Sequence, residues 1–239
     1  MRFYIITLFP DIFDSVFSES ILARAIKNKK IKISFLNPRK FVSGKYKKVW
    51  PDGNVSLQVD ERPYAGGPGM AIMAEPIVKA TVSILNKINR RKDPKVLVIN
   101  FVPRATKFTT KLAKSFSRTY TDIIMIAGHY EGIDERVNKI IKREGDSIFS
   151  KKNFKLQKIS VGDYVLTGGE IPAMILVDSI SRQIEGVLGN FSSREEERIS
   201  SSAVYTRPEV IEYKGKKYKV PKVLLSGDHK KIDEYKRKH

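Results

Sequence analysis

The stretch Ile123-Ile-Met-Ile-Ala-Gly-His-Tyr-Glu-Gly-Ile-Asp-Glu-Arg-Val137 decides the fold class of this chain. Ile123–Ala127 is an unbroken apolar run of strand length, bounded by a glycine. Gly128 and Gly132 let the backbone turn sharply, and a helix is predicted from Asp134 to Lys142. Asp134 and Glu135 then sit in its first turn, where the helix dipole favours acids. Strand, glycine turn and helix in direct succession are the unit of an α/β sheet with helices on its faces.

Outward from there the alternation continues. Further strands are predicted at Phe3–Leu8, Ile31–Leu36 and Val96–Phe101. Helices are predicted over Asp11–Lys27, Glu75–Asn89, Ala105–Phe116 and Gly169–Ile184, with Pro10, Pro76 and Pro172 where a first-turn proline is tolerated. The sequence shows no internal repeat. Asn37–Gly69 holds nine prolines and glycines and is too long for a plain connector; loops of that length are usually functional or mobile. Leu188–Ser202 is polar and reads as a linker or lid, followed by a short basic segment, Tyr205–His239.

The 239 residues carry 45 Lys and Arg against 26 Asp and Glu, a formal net charge of +19, which points to an acidic partner, nucleic acid before others. The charge is unevenly placed. Lys27–Lys48 has nine basic residues and no acid, whereas the two glycine-rich segments carry Glu131, Asp134, Glu135, Asp163 and Glu170. Basic surface around an acidic site suits an enzyme that grips phosphates and does proton chemistry on a base. With no cysteine, disulfides, thiolate nucleophiles and cysteine zinc sites are excluded. His129, His229 and His239 make no convincing metal cluster, so no metal ligands are assigned. No segment has the apolar length of a membrane span and the N-terminus has no signal-peptide pattern; a cytoplasmic location is expected.

Three loops could carry chemistry. Gly128–Gly132 places backbone donors near a helix N-terminus, with Glu131 able to take hydrogen bonds or a proton; a simple strand-to-helix turn fits the same residues. Ser160-Val-Gly-Asp-Tyr-Val-Leu-Thr-Gly-Gly-Glu170 puts two glycines before a helix that packing alone would not need, and can offer backbone groups to an adenine edge or ribose. It matches neither the dinucleotide fingerprint nor the P-loop. Glu61-Arg-Pro-Tyr-Ala-Gly-Gly-Pro-Gly-Met70 is either a surface turn or a backbone cradle for a flat base or phosphate. Asp178 and Arg182, four residues apart on one predicted helix face, fit an ordinary ion pair.

Together ERPYAGGPGM, GHYEGIDERV and SVGDYVLTGGEIPAM resemble the bacterial tRNA guanosine-37 methyltransferases of the SPOUT superfamily. TLFPDIF opens the chain as that family opens, and VDSISRQIEGVLG, YTRPEV and VPKVLLSG follow in its order. The resemblance spans nearly the whole chain. It implies methyl transfer from S-adenosylmethionine to N(1) of the guanine 3′ of the anticodon of tRNA. It further implies an α/β parallel sheet with a deep trefoil knot, and a homodimer with sites at the subunit interface.

By that resemblance the cofactor is held by Pro103, Gly128, Tyr130, Glu131 and Gly132, and by Val161, Gly162, Asp163, Tyr164, Val165, Leu166, Gly168 and Gly169. Tyr64, Gly66, Gly67, Pro68 and Gly69 would hold the target guanine. Arg182 matches the family's catalytic arginine, placed to offset charge developing on the guanine carbonyl oxygen. The family's general base is a linker aspartate, and Glu197, beside Glu195 and Glu196, falls in its place here. Magnesium is implied by the family, with no site located. The resemblance divides the chain into a methyltransferase domain over 1–187, a linker or lid over 188–202 and a shortened tRNA-contacting segment over 203–239.

Several departures stand out. Glu61 replaces an aspartate, Ala65 a glycine, and Val102-Pro103-Arg104-Ala105 keeps only the proline of the family's cofactor-side turn. Ser147–Leu156 reads as an insertion, and the chain stops at His239 where the family usually continues into a helical domain. Two other readings stay open: a methyltransferase of the same superfamily acting on another RNA nucleotide, and a non-catalytic RNA-binding module.

Overall fold

The structure, a computed structural model, describes residues 1–64, 66, 69–189 and 203–238. The chain divides into two compact units, Met1–Leu188 and Gly189–His239. The larger is built on five strands: β1 (Arg2–Ile6), β2 (Lys32–Leu36), β3 (Val96–Lys107), β4 (Asp122–Ile126) and β5 (Phe154–Ser160). They lie in the order β2-β1-β4-β3-β5, and every pairing is parallel.

Alternation along the strands explains the layers. Phe3, Ile5, Leu97, Ile99, Ile123 and Met125 point to one face, packed by α1 (Ser20–Lys27), α3 (Thr110–Thr119) and α5 (Glu170–Ser181). Tyr4, Ile6, Val96, Val98, Ile124 and Ile126 point to the other, covered by α2 (Ala74–Asn89) and α4 (Arg136–Ile148). A parallel sheet buried on both faces needs apolar residues at successive positions, which is why β4 reads as one unbroken run. The order of strands reverses between β1 and β4, so a crevice opens beyond the carboxyl ends of the central strands. Among the described residues no helix is long and apolar enough to cross a membrane.

Four expectations are corrected. The helix predicted at Ala105–Phe116 starts instead at Thr110, because β3 runs on to Lys107. Phe101 and Thr106 both register with Ile159, so Val102–Ala105 form a looped-out irregularity within the strand, and Thr109 then caps α3 by accepting from the Leu112 N–H at 3.3 Å. The helix predicted over Asp11–Lys27 is broken into short turns and α1, with Ser20 at a left-handed φ of +53°. The helix expected to end at Lys142 continues to Ile148. Within the supposed insertion begins a strand, β5, whose exposed or partly exposed positions include Lys155, Gln157 and Lys158. It is an edge strand bonded on one side only, to β3. The long Asn37–Gly69 loop also has order of its own, a hairpin pairing 47–49 with 55–57 and a two-residue ladder between Asp60–Glu61 and Ala71–Ile72.

The smaller unit contains an antiparallel hairpin, β6 (Val210–Tyr213) with β7 (Lys216–Lys219), and two helices, α6 (Lys222–Leu225) and α7 (His229–Lys238). Lys214 and Gly215 both take positive φ at the hairpin turn, as a tight two-residue connection requires.

Candidate active site

A cleft of about 370 Å³ opens at the carboxyl ends of β3, β4 and β5, within the range of a small-molecule site. Three backbone segments line it: Asn100–Pro103 at the irregularity of β3, Gly128–Ile133 after β4, and Ile159–Val161 with Tyr164–Gly169 after β5. Of the residues expected to hold the cofactor, Pro103, Gly128, Tyr130, Glu131, Gly132, Val161, Tyr164, Val165, Leu166, Gly168 and Gly169 are on this wall. Gly162 and Asp163 are not. Asp163 turns outward and pairs with Lys107, and the atoms nearest a Cβ on Gly162 would be those of the Tyr164 ring.

The two cofactor-side loops are held against each other by backbone. The Gly169 N–H donates to the Gly128 carbonyl at 2.8 Å, and His129 and Gly168 form an isolated antiparallel bridge. A Cβ on Gly169 would lie 2.5 Å from Ala127 Cα, closer than real Cβ atoms come, so the position demands glycine for room. Its φ of −86° shows that conformation is not the reason. Gly132 is the opposite case: nothing crowds it, but φ is +117°. Tyr130 also lies in the left-handed region, at +60°, in a turn that leaves its ring half exposed.

Beneath the crossing sits a polar cluster. Glu170, only 4% exposed at the start of α5, accepts from the Thr7 hydroxyl at 2.7 Å and contacts His129 Nε2 at 2.7 Å. The Thr7 oxygen in turn accepts from the Phe9 N–H at 3.0 Å, and Phe9 meets the His129 ring edge-on. A carboxylate in the first turn of a helix is favoured by the dipole, and burial makes its two partners obligatory. This cluster fixes the start of α5 to β1 and β4. His129 and Thr7 were missed as site-supporting residues by sequence reading. The one hint was a histidine inside a glycine turn facing an acid at a helix start.

The predicted acceptor loop is stitched to the same turn. The Glu131 N–H donates to the Met70 carbonyl at 2.9 Å, the Ile72 N–H to the Gly132 carbonyl at 2.9 Å, and the Asp134 N–H back to Ile72 at 3.0 Å. A Cβ on Gly69 would press within 2.7 Å of the Glu131 side chain. Tyr64 stands almost fully in solvent and Gly66 is exposed, whereas Gly67 and Pro68 lie outside the described residues. A second cavity lies on the far side of this loop, lined by Lys45, Tyr46, Arg62, Tyr64 and Arg136 among others. There the Arg136 guanidinium, hydrogen-bonded to Asp134 at 2.9 Å, holds that carboxyl below the usual aspartate range.

Arg182 is not brought to the cleft of its own chain. It caps the C-terminal end of α5, its N–H donating to the Asp178 carbonyl at 3.1 Å, twelve residues beyond Glu170 and thus about 18 Å along the helix axis. Glu195, Glu196 and Glu197 lie outside the described residues. Among the described residues no group of three His, Cys, Asp or Glu stands close enough to hold a metal ion, so the magnesium expected from the resemblance has no fitting ligand set there.

The cleft does fit a nucleoside-like cofactor. It has an apolar floor from Ile133, Val161 and Leu166, backbone groups on three sides, and a close crossing where side chains would fill the space. Comparison with known proteins agrees in kind. A family model described as tRNA (Guanine-1)-methyltransferase TrmD matches residues 1–239. The chain is similar to the tRNA (guanine-N(1)-)-methyltransferase of Clostridioides difficile (strain 630), at 42% identity over 241 aligned positions covering 99% of this chain and 91% of that protein. The like-named protein of Pseudoalteromonas atlantica is 38% identical over 99% of this chain and 78% of its own length. That of Ureaplasma urealyticum serovar 10 is 37% identical over 99% and 90%.

Proposed function

The chain belongs to the tRNA (guanine-1)-methyltransferase family, and from that premise we propose how its own residues carry methyl from S-adenosylmethionine to N(1) of the tRNA guanosine at position 37. The observation that carries the reading is the joining of the two loops. Met70 and Ile72 of the acceptor segment are bonded to Glu131, Gly132 and Asp134 of the cofactor turn, so donor and acceptor sites share one backbone framework. Reaction by in-line displacement depends on that fixed spacing.

In this reading Pro103, Gly128, Tyr130, Glu131, Gly132, Val161, Tyr164–Leu166, Gly168 and Gly169 hold the cofactor, whose sulfonium supplies an electrophilic methyl group. Gly162 and Asp163 shape the turn from outside. Tyr64 and the Gly66–Gly69 backbone hold the guanine, with Gly67 and Pro68 assigned by resemblance. N(1) of guanine bears a proton that must leave as the new bond forms, and Glu197 receives it. Negative charge then grows on the guanine carbonyl oxygen, where the Arg182 guanidinium is worth most in the transition state.

Arg182 and the cleft stand at opposite ends of α5, which supports a site shared between two copies. Helix α5 is largely apolar, and its exposed face carries Ile171, 50% exposed, and Ile175, with Asp178 a turn further on. Two copies related by a two-fold axis through the middle of this exposed face would run their α5 helices antiparallel. Each Arg182 would then lie beside the cleft end of its partner's helix. The return of the chain after β5 to cross the Ala127–Gly128 backbone supports the deep knot of the superfamily. The domain division stays as read: a methyltransferase domain over 1–187, a linker or lid over 188–202 carrying the base, and a basic segment over 203–239 that meets tRNA.

The test pairs two variants. Arg182→Ala is expected to melt like the parent and bind S-adenosylmethionine as tightly, while losing about 100-fold or more in turnover; Glu197→Gln should do the same through the lost proton acceptor. Full turnover in either returns that residue to a structural role.

A further inference from the structure

The single tryptophan of the chain, Trp50, is spent on solvent. It stands at the tip of the three-rung hairpin that pairs Lys47–Val49 with Val55–Leu57. Trp50 is 55% exposed, and Val49 and Val55, opposite each other on the next rung, are more than half exposed. None of the three belongs to either core cluster. A large apolar side chain in the open is the informative kind of surface residue.

The hairpin is nonetheless built with care. The Trp50 N–H donates to the Asn54 carbonyl at 2.8 Å, the Gly53 N–H returns to Trp50 at 2.9 Å, and Asp52 accepts from the Asn54 N–H at 3.0 Å. Gly53 supplies the left-handed φ of +83° that closes the turn. At the base, the Gln58 N–H donates to the Tyr46 carbonyl at 3.0 Å, and the Tyr46 hydroxyl bonds to Glu61 at 3.3 Å. Glu61 lies in the short strand that leads directly into Tyr64 and the acceptor loop. Tyr46 and Leu57 anchor the base of the hairpin on the core, while Val49, Trp50 and Val55 at its outer end have no such support. A two-stranded hairpin has little stability of its own, so the turn and base bonds hold this outer end in place as an arm.

Charge surrounds it. Lys45, Lys47 and Lys48 are exposed, and among the described residues none is bridged to a carboxylate. Trp50 follows directly on the strand that ends at Val49, and its N–H bond to Asn54 carries the ladder one position further. Two-residue alternation therefore sets it on the side of the hairpin that Lys48 occupies, about 7 Å away. An aromatic platform with a cation one side-chain repeat away is the pattern by which proteins hold unpaired nucleotides: the base stacks on the ring and the phosphate meets the ammonium. The exposed lysines of the arm match the phosphates of an RNA, the acidic partner that the chain's net charge of +19 favours.

We propose that the hairpin 47–57 is an RNA arm of this enzyme, with Trp50 stacking on an unpaired base of the substrate tRNA next to the nucleotide held by the acceptor loop, and Lys48 meeting its phosphate. The proposal rests on the tRNA reading above and adds to it a contact outside the methyl-transfer site. It also gives the hairpin's exposed apolar residues a purpose.

Because Trp50 is the one tryptophan, its emission reports this contact directly. Titration of the full chain with unmodified tRNA should quench that emission saturably, and raised salt should reverse it. Trp50→Ala should raise KM for tRNA roughly tenfold, the order expected for one lost base stack, while kcat, S-adenosylmethionine affinity and Tm stay at parent values. Trp50→Tyr should restore most of the KM, and Trp50→Leu, apolar but unable to stack, should not. Emission unchanged while tRNA is bound and methylated, with an unchanged KM in Trp50→Ala, overturns the arm. So does an unchanged KM joined to altered sedimentation of the variant, which would make the hairpin a contact between copies. Quenching by tRNA without any methylation by the parent would sustain the arm and sink the methyl-transfer reading, so the two fail separately.

Discussion

Replacing Gly169 with alanine should damage the fold and the cleft together, and its magnitude can be worked from the crossing itself. The added Cβ would stand 2.5 Å from Ala127 Cα, 2.9 Å from the Gly128 nitrogen and 3.0 Å from the Ala127 carbonyl carbon, all backbone atoms that cannot rotate away. To reach ordinary contact the two segments must part by about 1 Å. Overpacking of this kind costs about 1–3 kcal/mol. The same movement strains the 2.8 Å Gly169-to-Gly128 hydrogen bond, worth about 1 kcal/mol. The expected loss is therefore about 2–4 kcal/mol, or roughly 5–15 °C in Tm for a unit of this size. Since both walls of the cleft end at this crossing, S-adenosylmethionine affinity should fall about tenfold or more. Gly162→Ala is the matched control for stability: the atoms nearest its new Cβ belong to the exposed, rotatable Tyr164 ring, so its effect on unfolding should stay within about 0.5 kcal/mol. Thermal melts and calorimetric titration with the cofactor read both quantities. A Gly169→Ala protein with parental Tm and affinity would refute the close-crossing account.

Three other outcomes are expected. Thr7→Val leaves one oxygen of the buried Glu170 carboxylate without its donor and should cost about 1–3 kcal/mol, read by chemical denaturation; no change would remove the cluster from the account of how α5 is anchored. Arg91→Met strips the guanidinium from Asp122, which is 1% exposed and keeps only Thr121 and Tyr4, so a loss of about 3 kcal/mol should appear in the same assay. Asp134 has its folded pKa depressed by Arg136, so the stability it adds is complete above the unfolded aspartate value of about 4 and lost as pH falls through the lower folded value. Asp134→Asn should accordingly be less stable than the parent at neutral pH and match it in strong acid; a constant difference across the range would contradict the linkage.

Much of the fold was readable because buried parallel strands announce themselves. β1, the first half of β3 and β4 are apolar at both alternating faces or nearly so, while the edge strand β2 shows its alternation through Ile31, Ile33 and Phe35; each was expected within a residue or two of where it lies. β5 escaped because an edge strand with Lys155, Gln157 and Lys158 has no such run, and its register with β3 is a tertiary fact. The second half of β3 escaped because Pro103 reads as a turn, whereas Val102–Ala105 are looped out between two positions that both pair with Ile159. In the site, glycine spacing drew attention to loops that line the cleft but could not say which glycines matter for room. Gly162 and Gly169 look alike in sequence; only the crossing backbone separates them. The Thr7–Glu170–His129 cluster joins residues up to 163 positions apart, beyond the reach of local pattern. The resemblance named Arg182, yet the helix puts it far from its own chain's cleft, and it is this separation that favours a shared site.

The central claim is that this framework methylates one guanine ring nitrogen in tRNA, and one assay meets it head-on. Purified protein, S-adenosylmethionine and tRNA transcripts bearing guanosine or another base at position 37 should be incubated and the products mapped by reverse transcription. The account predicts methyl incorporation into the guanosine transcript alone, with a reverse-transcription stop at position 37 as N(1) loses its pairing edge. Cofactor binding with no modification of that guanine, or equal incorporation into transcripts lacking it, would contradict the account.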